Sequence, residues 1–418
     1  MTMDEKFLTD EYFADPYSVY AELRRRAPVY WSDRFEAWIL TRHSDVAAVI
    51  KDTDRFSNAE RIPTLLRQLP PDTHENLADL SNHFSVGLVH SDPPDHTRLR
   101  ALVSKAFTPR AVESMRPRIE SLVNELLEEA NDEFDIVEQF AYPLPMIIIS
   151  DMVGIPSSDR EQFKAWSSQI FGFIGSGKPD AATAVRSQEA LRELVVYFKQ
   201  LFAHRRRHPG PDLLSQLVLV EEAGDRLSED ELLSLCSTFV SAGHETTTSL
   251  IASGALTLLR HPHVASDVNN DANLVAALIE EVLRHESPLQ RDLKVAAVDV
   301  EISGVEIRSG DLVYAMLGAA NRDPAQFDDP DEFQLRRPRN RHLSFGFGAH
   351  FCLGAPLARL EAQIALAAVA NRACNMKLAS DTFSWRHDIA LRSLTRLDVE
   401  PLNRAPRTMF GDPGERDE

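Results

Sequence analysis

The chain has 418 residues, of which 43% are hydrophobic and 26% charged, and its formal net charge at pH 7 is −19. The apolar fraction allows a sizeable core, and the acidic balance disfavours a general nucleic-acid binder, which needs a basic surface. The N-terminus has no apolar core, and the apolar run at 146–150 is too short to cross a bilayer. We therefore expect a cytoplasmic protein without a signal peptide or a membrane anchor.

No Gly/Ser-rich or Pro-rich linker divides the chain, whose 24 prolines and 17 glycines are scattered along it. We predict a single domain over residues 1–418, with flexible tails at about residues 1–11 and 405–418. We also expect a monomer.

Helical periodicity dominates the sequence. Apolar residues recur at three- and four-residue intervals in three segments: 16–28, 109–132 and 187–209. Short alternating runs at 37–41 and 298–314 predict strands, the second with turns at Gly304 and Gly310. The expected fold is mainly α with minor β-sheets.

The longest helical pattern begins with a capping box of Ser228 and Glu231 and stops at Pro262. About 30 residues at 1.5 Å each give a rod of about 45 Å, enough to cross the domain. Its centre is poor helix-forming sequence, because Gly243 is followed by three threonines at 246–248.

The three cysteines show no CxxC-like spacing, which argues against a zinc cluster or a disulfide framework. Cys352 lies in HLSFGFGAHFCLGAPLARLE at 342–361, where several glycines let a flat group approach the backbone closely. Pro356 suits the first turn of the helix that follows. A cysteine at a helix start is favoured as a thiolate, which can be the axial ligand of haem iron. The alternative is a buried cysteine beside a turn.

The segment FGFGAHFCLG resembles the haem-binding signature of the cytochrome P-450 superfamily, with Phe345, Gly348, Cys352 and Gly354 on its fixed positions. Other segments follow the family's order: DPPDHTRLRALVSKAF (92–107), AGHETT (242–247), EEVLRHESP (280–288) and NRDPAQFDDPDEFQLRRP (321–338). The resemblance covers about residues 12–400. It implies a triangular helical prism around a buried haem b, with a long central helix.

The resemblance also implies which residues contact the haem. Cys352 would be the axial iron ligand, and Phe345, Gly346 and Gly354 would shape its loop. Cationic or donor residues would meet the haem propionates: His96, Arg100, His350, and either Lys294 or Arg291. A lysine at 294 would bind a propionate as a point charge, without the fork of an arginine.

In the central helix, the resemblance implies that Ala242 and Gly243 leave room for dioxygen and substrate. Thr246 would hydrogen-bond dioxygen, and Glu245 would lie on the route that brings protons from solvent. The alternative is that the threonine hydroxyls bond to the preceding turn and bend the helix; both can hold.

Glu281 and Arg284 lie three apart on one helix face and can pair. The resemblance implies a third partner, Arg337 rather than Arg336, in a buried group that fixes the cysteine loop. The alternative is a surface ion pair of little energetic value.

The substrate pocket is expected to be mostly apolar. Its candidate residues are Val240, Ala242, Leu289, Gln290, Arg291 and Leu394. Gln290 or Arg291 could supply a polar anchor; alternatively, Arg291 faces solvent or a propionate.

These implications predict a monooxygenase that inserts one oxygen atom into a small apolar molecule. Its electrons would come from a separate ferredoxin or flavodoxin with its NAD(P)H-dependent reductase. A positive patch before and after the cysteine loop would dock this donor: Arg336, Arg337, Arg339, Arg341 and Arg359. The alternatives are a haem-thiolate sensor or carrier without turnover, and a family member that uses peroxide, couples or isomerises.

Overall fold

The computed structural model describes residues 2–74, 77–128, 134–175, 180–210, 212–222, 227–373 and 375–402. These residues are mainly helical, as the sequence predicted. The helices are α1 (Met3–Lys6), α2 (Asp10–Ala14), α3 (Pro16–Arg26), α4 (His43–Lys51), α5 (Arg61–Arg67), α6 (Pro71–His74), α7 (Ala78–Ser85), α8 (Asp95–Ala106), α9 (Pro109–Glu113), α10 (Arg116–Glu128), α11 (Pro143–Val153), α12 (Arg160–Gly175), α13 (Ala181–Arg207), α14 (Leu213–Glu222), α15 (Glu229–Arg260), α16 (Pro262–Asn270), α17 (Leu274–His285), α18 (Leu317–Ala320) and α19 (Ala355–Ala373).

The strands are short and form three small sheets. They are β1 (Val29–Ser32), β2 (Ala37–Leu40), β3 (Phe56–Ser57), β4 (Phe134–Asp135), β5 (Asp292–Ala296), β6 (Val300–Ile302), β7 (Val305–Ile307), β8 (Leu312–Ala315), β9 (Met376–Leu378) and β10 (Asp398–Pro401). The largest sheet has the order β1-β2-β8-β5-β3, and β2 and β8 are its one parallel pair among the described residues. The predicted turns at Gly304 and Gly310 are confirmed by their φ values of 83° and 93°, which favour glycine.

Helix α15 crosses the interior and packs against α11, α17 and α19. The predicted capping box is confirmed, because the Ser228 hydroxyl accepts a hydrogen bond from the Glu231 amide at 3.1 Å. A Cβ on Gly254 would lie 2.5 Å from Leu366 Cδ1, so this glycine sets the close contact of α15 with α19. Despite its weak central sequence, α15 is helical throughout, because its apolar residues are buried against these neighbours.

The pattern at 109–132 is two helices rather than one. Helix α9 ends at Glu113 and α10 begins at Arg116, with Pro117 in its first turn, where the missing N–H costs no helical hydrogen bond. The last residues of the predicted helix, from 129 on, lie outside the described part of the chain.

The N-terminal segment is packed, contrary to the prediction of a tail over residues 1–11. Helices α1 and α2 fall within or overlap it, and Phe7 is fully buried among aromatic rings, at 5.3 Å from that of Tyr12 and 5.4 Å from that of Phe35. An aromatic side chain of this size gives up its burial only at a cost of several kcal/mol, which holds the segment in place. The predicted C-terminal tail at 405–418 lies outside the described residues. No described helix combines the length and the apolar character needed to cross a membrane.

Candidate active site

Cys352 lies on the wall of a large, mostly apolar cavity of about 1470 Å³, part of it open to solvent. Its loop turns at Gly346 and Gly348, whose φ values of 71° and 81° favour glycine. The Cys352 amide donates to the Phe345 carbonyl at 2.8 Å, which closes the loop just before α19. A Cβ on Gly348 would come within 3.2 Å of the Lys51 backbone, so the loop also packs tightly on α4.

Burial raises the pKa of the Cys352 thiol, whereas the backbone amides of Gly354 and Ala355 and the nearby cation Arg100 lower it. The amides belong to the start of α19, so the expected effect of the helix start on the thiolate is present but smaller than that of burial. A bound metal cation would reverse the balance, because a coordinating thiol loses its proton.

Helix α15 contributes Ala242, Gly243 and Thr246 to the same cavity. The Thr246 hydroxyl donates to the Ala242 carbonyl at 2.9 Å, so the back-bonding alternative is confirmed while the residue still lines the cavity. Gly243 has a second role, since a Cβ there would lie 3.0 Å from Ile149 of α11.

Glu245 is not among the cavity-lining residues, although Thr246 follows it directly. Its carboxylate is only 8% exposed and accepts a hydrogen bond from Arg386 Nη1 at 2.6 Å. Arg386 comes from the C-terminal part of the chain, and no sequence pattern pairs it with Glu245.

One rim of the cavity carries polar side chains whose hydrogen-bonding atoms are buried and unpaired. The rings of His96 and His350 lie 3.9 Å apart. Four residues of this rim have side-chain nitrogens without a hydrogen-bond partner among the described residues: His96, His350, Asn58 and Arg61. Burial lowers the pKa of both histidines, and neighbouring cations lower it further. Buried nitrogens of this kind are suited to bind an anionic group.

The predicted group around Glu281 is present and buried. Arg284 donates to both carboxylate oxygens of Glu281, at 2.7 and 2.9 Å, and Arg337 Nε lies 3.0 Å from Oε1. Arg336 instead has a side chain that is 63% exposed and lies 4.0 Å from Asp267. Because Glu281 is 1% exposed and Arg284 fully buried, this is not the surface pair of the alternative interpretation.

Comparison with known proteins gives the family. The profile of the cytochrome P-450 family matches residues 39–372. The chain belongs to this family. It is a haem-thiolate monooxygenase, and its cofactor is haem b.

Two bacterial relatives match almost the whole P-450 chain. The biotin biosynthesis cytochrome P-450 of Bacillus subtilis is 38% identical over 403 residues, covering 96% of this chain and 99% of the relative. The 6-deoxyerythronolide B hydroxylase of Saccharopolyspora erythraea is 39% identical over 413 residues, with the same coverage of 96% and 99%.

Solved P-450 structures share the fold. The P-450 BioI, in complex with an acyl carrier protein ligated to hexadec-9Z-enoic acid, has a TM-score of 0.86 at 37% identity, covering 94% of this chain and 100% of that one. A myxobacterial P-450 in complex with myristic acid has a TM-score of 0.86 at 35% identity, covering 95% and 99%. The predicted P-450 fold is confirmed.

The residues of the cavity fit haem b. The unpaired nitrogens of the rim are the donors that two haem carboxylates need, and Cys352 lies on the same cavity as a soft ligand for iron. Arg100 also lines the cavity, and Phe345 and Gly354 line it beside the cysteine. Asn58 and Arg61 were missed by sequence reasoning, because a lone Asn and a lone Arg in a short loop and helix carry no recognisable pattern.

Two of the predicted propionate ligands are placed differently. Lys294 is 1% exposed and does not line the cavity; its Nζ donates to Asn58 Oδ1 at 2.6 Å and lies 3.4 Å from Asp292. Arg291 also lies away from the cavity, 4.4 Å above the ring of Tyr314. Lys294 therefore orients Asn58 and Asp292, both of which line the cavity, rather than facing it.

The residues predicted for the substrate pocket are only partly on the cavity wall. Ala242 and Leu289 line the cavity, but Gln290 does not, because its side chain turns back to donate to the Ser287 carbonyl at 2.6 Å. Leu394 is 2% exposed within the core and pairs with Trp385, also away from the cavity. The side chain of Val240 lies outside the described part of the structure.

Glu361 is a further cavity residue that sequence reasoning missed. It lies on α19, is 1% exposed, and its Oε2 atom has no hydrogen-bond partner in the described structure. Burial raises its pKa well above the usual value, because an enclosed carboxyl group favours its neutral form. The sequence does carry a signal for it, because Glu361 is the one acidic residue among the alanines and leucines of APLARLEAQIALAAVA.

Proposed function

We propose that this P-450 inserts one oxygen atom from dioxygen into a C–H or C=C bond of a mostly apolar small molecule. The observation that supports the proposal is one cavity that carries Cys352, the threonine of the central helix, and a largely apolar remaining surface. An apolar wall with few polar groups is the usual form of a site for such molecules.

Cys352, Thr246 and Glu245 have separate roles in this proposal. Haem b held by Cys352 supplies the activation of dioxygen and the oxidation of substrate. Thr246 presents a hydroxyl at the cavity, and Glu245 at the adjacent position has a buried carboxylate that contacts the partly exposed Arg386. Together they form a route by which a proton moves from solvent to the cavity.

The substrate is expected to contact the apolar part of the wall. This part comes from separate elements of the chain, including Leu88, Val89, Leu235, Phe239 and Leu289. Two similar P-450 structures hold fatty acyl ligands, and one relative is named for hydroxylation of 6-deoxyerythronolide B. We propose that the substrate is an apolar chain or ring system of this general type.

The electron donor is proposed to be a separate acidic ferredoxin that docks near the cysteine loop. Within the predicted patch, Arg337 is occupied by Glu281, and Arg359 pairs with Glu280 at 2.7 Å. Arg336, Arg339 and Arg341 remain as the cations that can steer an acidic partner.

A reconstitution assay tests the function. Purified holoprotein with ferredoxin, reductase and NADPH should convert library compounds that shift the ferric haem spectrum, with one product oxygen derived from dioxygen. Cys352→Ala should lose the red-shifted carbon monoxide band of thiolate ligation. Ligand-induced spectral shifts without any electron-dependent product would favour the sensor or carrier, and product formed only with peroxide would favour the peroxide-using alternative.

A further inference from the structure

The cavity face of α15 is a stripe of residues that are spaced three and four positions apart, from Leu235 to Thr247. This spacing places their side chains on one side of the helix, in successive turns. Most of the stripe is apolar or small, and Thr246 and Thr247 form its C-terminal end. Among the described residues, Thr238 is the one other polar side chain of α15 that lines the cavity.

Thr238 lies in an apolar part of the cavity wall. Leu235 and Phe239 line the cavity beside it, and the Phe239 ring stacks on that of Phe107 at 6.3 Å. The side chain of Thr238 is only partly buried, so it can be reached from the cavity. A hydrogen bond is stronger in such surroundings than in water. A ligand group that meets Thr238 would therefore be recognised by one hydroxyl against an apolar background.

The hydrogen bonding of Thr238 determines which ligand groups it can recognise. Its hydroxyl donates to the Ser234 carbonyl at 2.8 Å. A hydroxyl has one proton to donate and two lone pairs that accept. Because the proton is engaged within the helix, the oxygen can accept a hydrogen bond from an O–H or N–H group of a ligand. An ionised carboxylate only accepts hydrogen bonds, so it could bind here only if Thr238 gave up its bond to Ser234.

The strongest cations of the cavity wall lie elsewhere. The described lining residues include two arginines, Arg61 and Arg100, and no lysine. Arg61 belongs to the rim that fits the haem carboxylates, and Arg100 follows His96 of that rim by one turn of α8. Both arginines therefore belong to the haem side of the cavity. An ionised ligand beside Thr238 would have no counter-charge, and burying it would be costly.

We infer that Thr238 is a specificity-determining residue that accepts a hydrogen bond from a hydroxyl or N–H group of an uncharged substrate. The inference rests on the proposed function and names the class of its substrate. Thr246 follows Thr238 by a little over two turns of α15, roughly 12 Å. The preferred substrate is therefore an apolar chain or ring system with a neutral hydrogen-bond donor at about this distance from the oxidised carbon.

The test measures, by calorimetry, the binding of three ligands with the same decyl chain to the ferric holoprotein. Decanol offers a hydrogen-bond donor, decyl methyl ether offers only an acceptor, and decanoate offers a charge. Thr238→Val keeps the shape of the side chain without its hydroxyl, Thr238→Ala is a second variant without it, and Thr238→Ser retains it. Thr257→Val is the matched control, because Thr257 bonds to the Ser253 carbonyl at 2.8 Å on the same helix but does not line the cavity. Urea unfolding establishes which variants are folded.

Wild type should bind decanol about threefold to tenfold more tightly than the ether, which is the usual contribution of one hydrogen bond. Decanoate should bind about tenfold more weakly than decanol, because its charge has no partner there. Thr238→Val and Thr238→Ala should bind decanol no more tightly than the ether. Thr238→Ser and Thr257→Val should keep the preference of wild type.

Equal affinity of wild type for decanol and the ether would overturn the inference, and so would a preference that survives in the folded variants without the hydroxyl. Decanoate bound as tightly as decanol, or no binding of any of the three ligands, would overturn it as well. Turnover with ferredoxin, reductase and NADPH is measured separately. Selective binding without product would contradict the proposed function and support the binding role of Thr238, whereas product without selective binding would contradict the inference alone.

Discussion

Thr246 uses its hydroxyl twice, as a donor to the Ala242 carbonyl and as a polar group on the cavity wall. Thr246→Ala should therefore leave α15 folded but remove the last protein group on the proposed proton route. NADPH would still be consumed, but the ratio of peroxide to product would rise about tenfold or more. The measurement is product and peroxide per NADPH.

Two variants control for this prediction. Thr246→Ser keeps the hydroxyl and should stay coupled. Thr257→Ala removes another back-bonded hydroxyl of the same helix, bonded to Ser253 at 2.8 Å away from the cavity, and should also stay coupled. Unchanged coupling in Thr246→Ala would mean that water or substrate supplies the proton.

Arg61 is expected to hold haem rather than to shape the fold. Its Nη2 donates to Asp292 at 2.7 Å, while its buried Nε has no hydrogen-bond partner in the described structure. Arg61→Leu should release haem to apomyoglobin about tenfold faster, since a hydrogen bond to a charged group contributes about 1.5–3 kcal/mol. Arg67→Leu, on the same helix but 58% exposed in its side chain, should release haem like wild type. Equal rates for both variants would contradict this role.

Motifs and isolated residues differ in how far the sequence predicts them. Cys352 and the Glu281–Arg284 pair were predictable, because each lies in a fixed local spacing. Arg386 was not, because its partner is 141 positions earlier in the chain and no periodicity links a loop arginine to a helix.

At the level of elements, α17 is tied to the approach to the cysteine loop by Glu281. The carboxylate accepts hydrogen bonds from Arg284, Arg337 and Asn340. Replacing it by the neutral amide of glutamine would weaken each of these bonds. Glu281→Gln leaves two buried arginines without a counter-charge and should lower the free energy of unfolding by about 3–5 kcal/mol. Haem content after purification should fall with it.

The neighbouring Glu280 provides the comparison for this prediction. Its side chain is 31% exposed and pairs with Arg359 on α19. Glu280→Gln should therefore lower the free energy of unfolding by only about 1–2 kcal/mol and leave the haem content unchanged. Urea unfolding of both holoproteins measures the difference. Equal losses would show that burial of the Glu281 group contributes nothing beyond an ordinary pair.

The segment before β5 shows why some residues predicted for the pocket do not line the cavity. Spacing from Lys294 assumes a regular strand, but β5 begins only at Asp292. Leu289 instead forms an isolated pair with Leu391, and Gln290 folds back on Ser287. Which side chains face the cavity is set there by contacts with the C-terminal segment, which local spacing does not encode.

Across the whole molecule, Glu286 connects parts of the chain that are far apart in sequence. It accepts hydrogen bonds from Tyr17 near the N-terminus and from Arg322 and Arg392. Burial, the largest influence, raises its pKa, but the two arginines and His285 outweigh it and bring the pKa to about 2.

Because the pKa of Glu286 is lower in the folded than in the unfolded chain, its stabilisation is present above about pH 4.5 and is lost as the pH falls toward about 2. The contribution is roughly 3 kcal/mol. Glu286→Gln should therefore be less stable at pH 7, and its difference from wild type should shrink between those pH values. Urea unfolding across this range measures it, with the exposed Glu113→Gln as control. A difference independent of pH would contradict the assignment.

Arg392 donates to the backbone carbonyls of Phe13 and Ala14, 379 and 378 positions earlier in the chain. During synthesis, the N-terminal helices therefore wait for almost the entire polypeptide before this closing contact exists. At about 5–20 residues per second, that delay is on the order of a minute, during which the ring of Phe13 lacks His387, on which it stacks at 4.5 Å. Contacts of such long sequence separation also slow folding. A chain truncated before Trp385 would thus lack both the contacts of Arg392 with the first helices and the contact of Arg386 with Glu245.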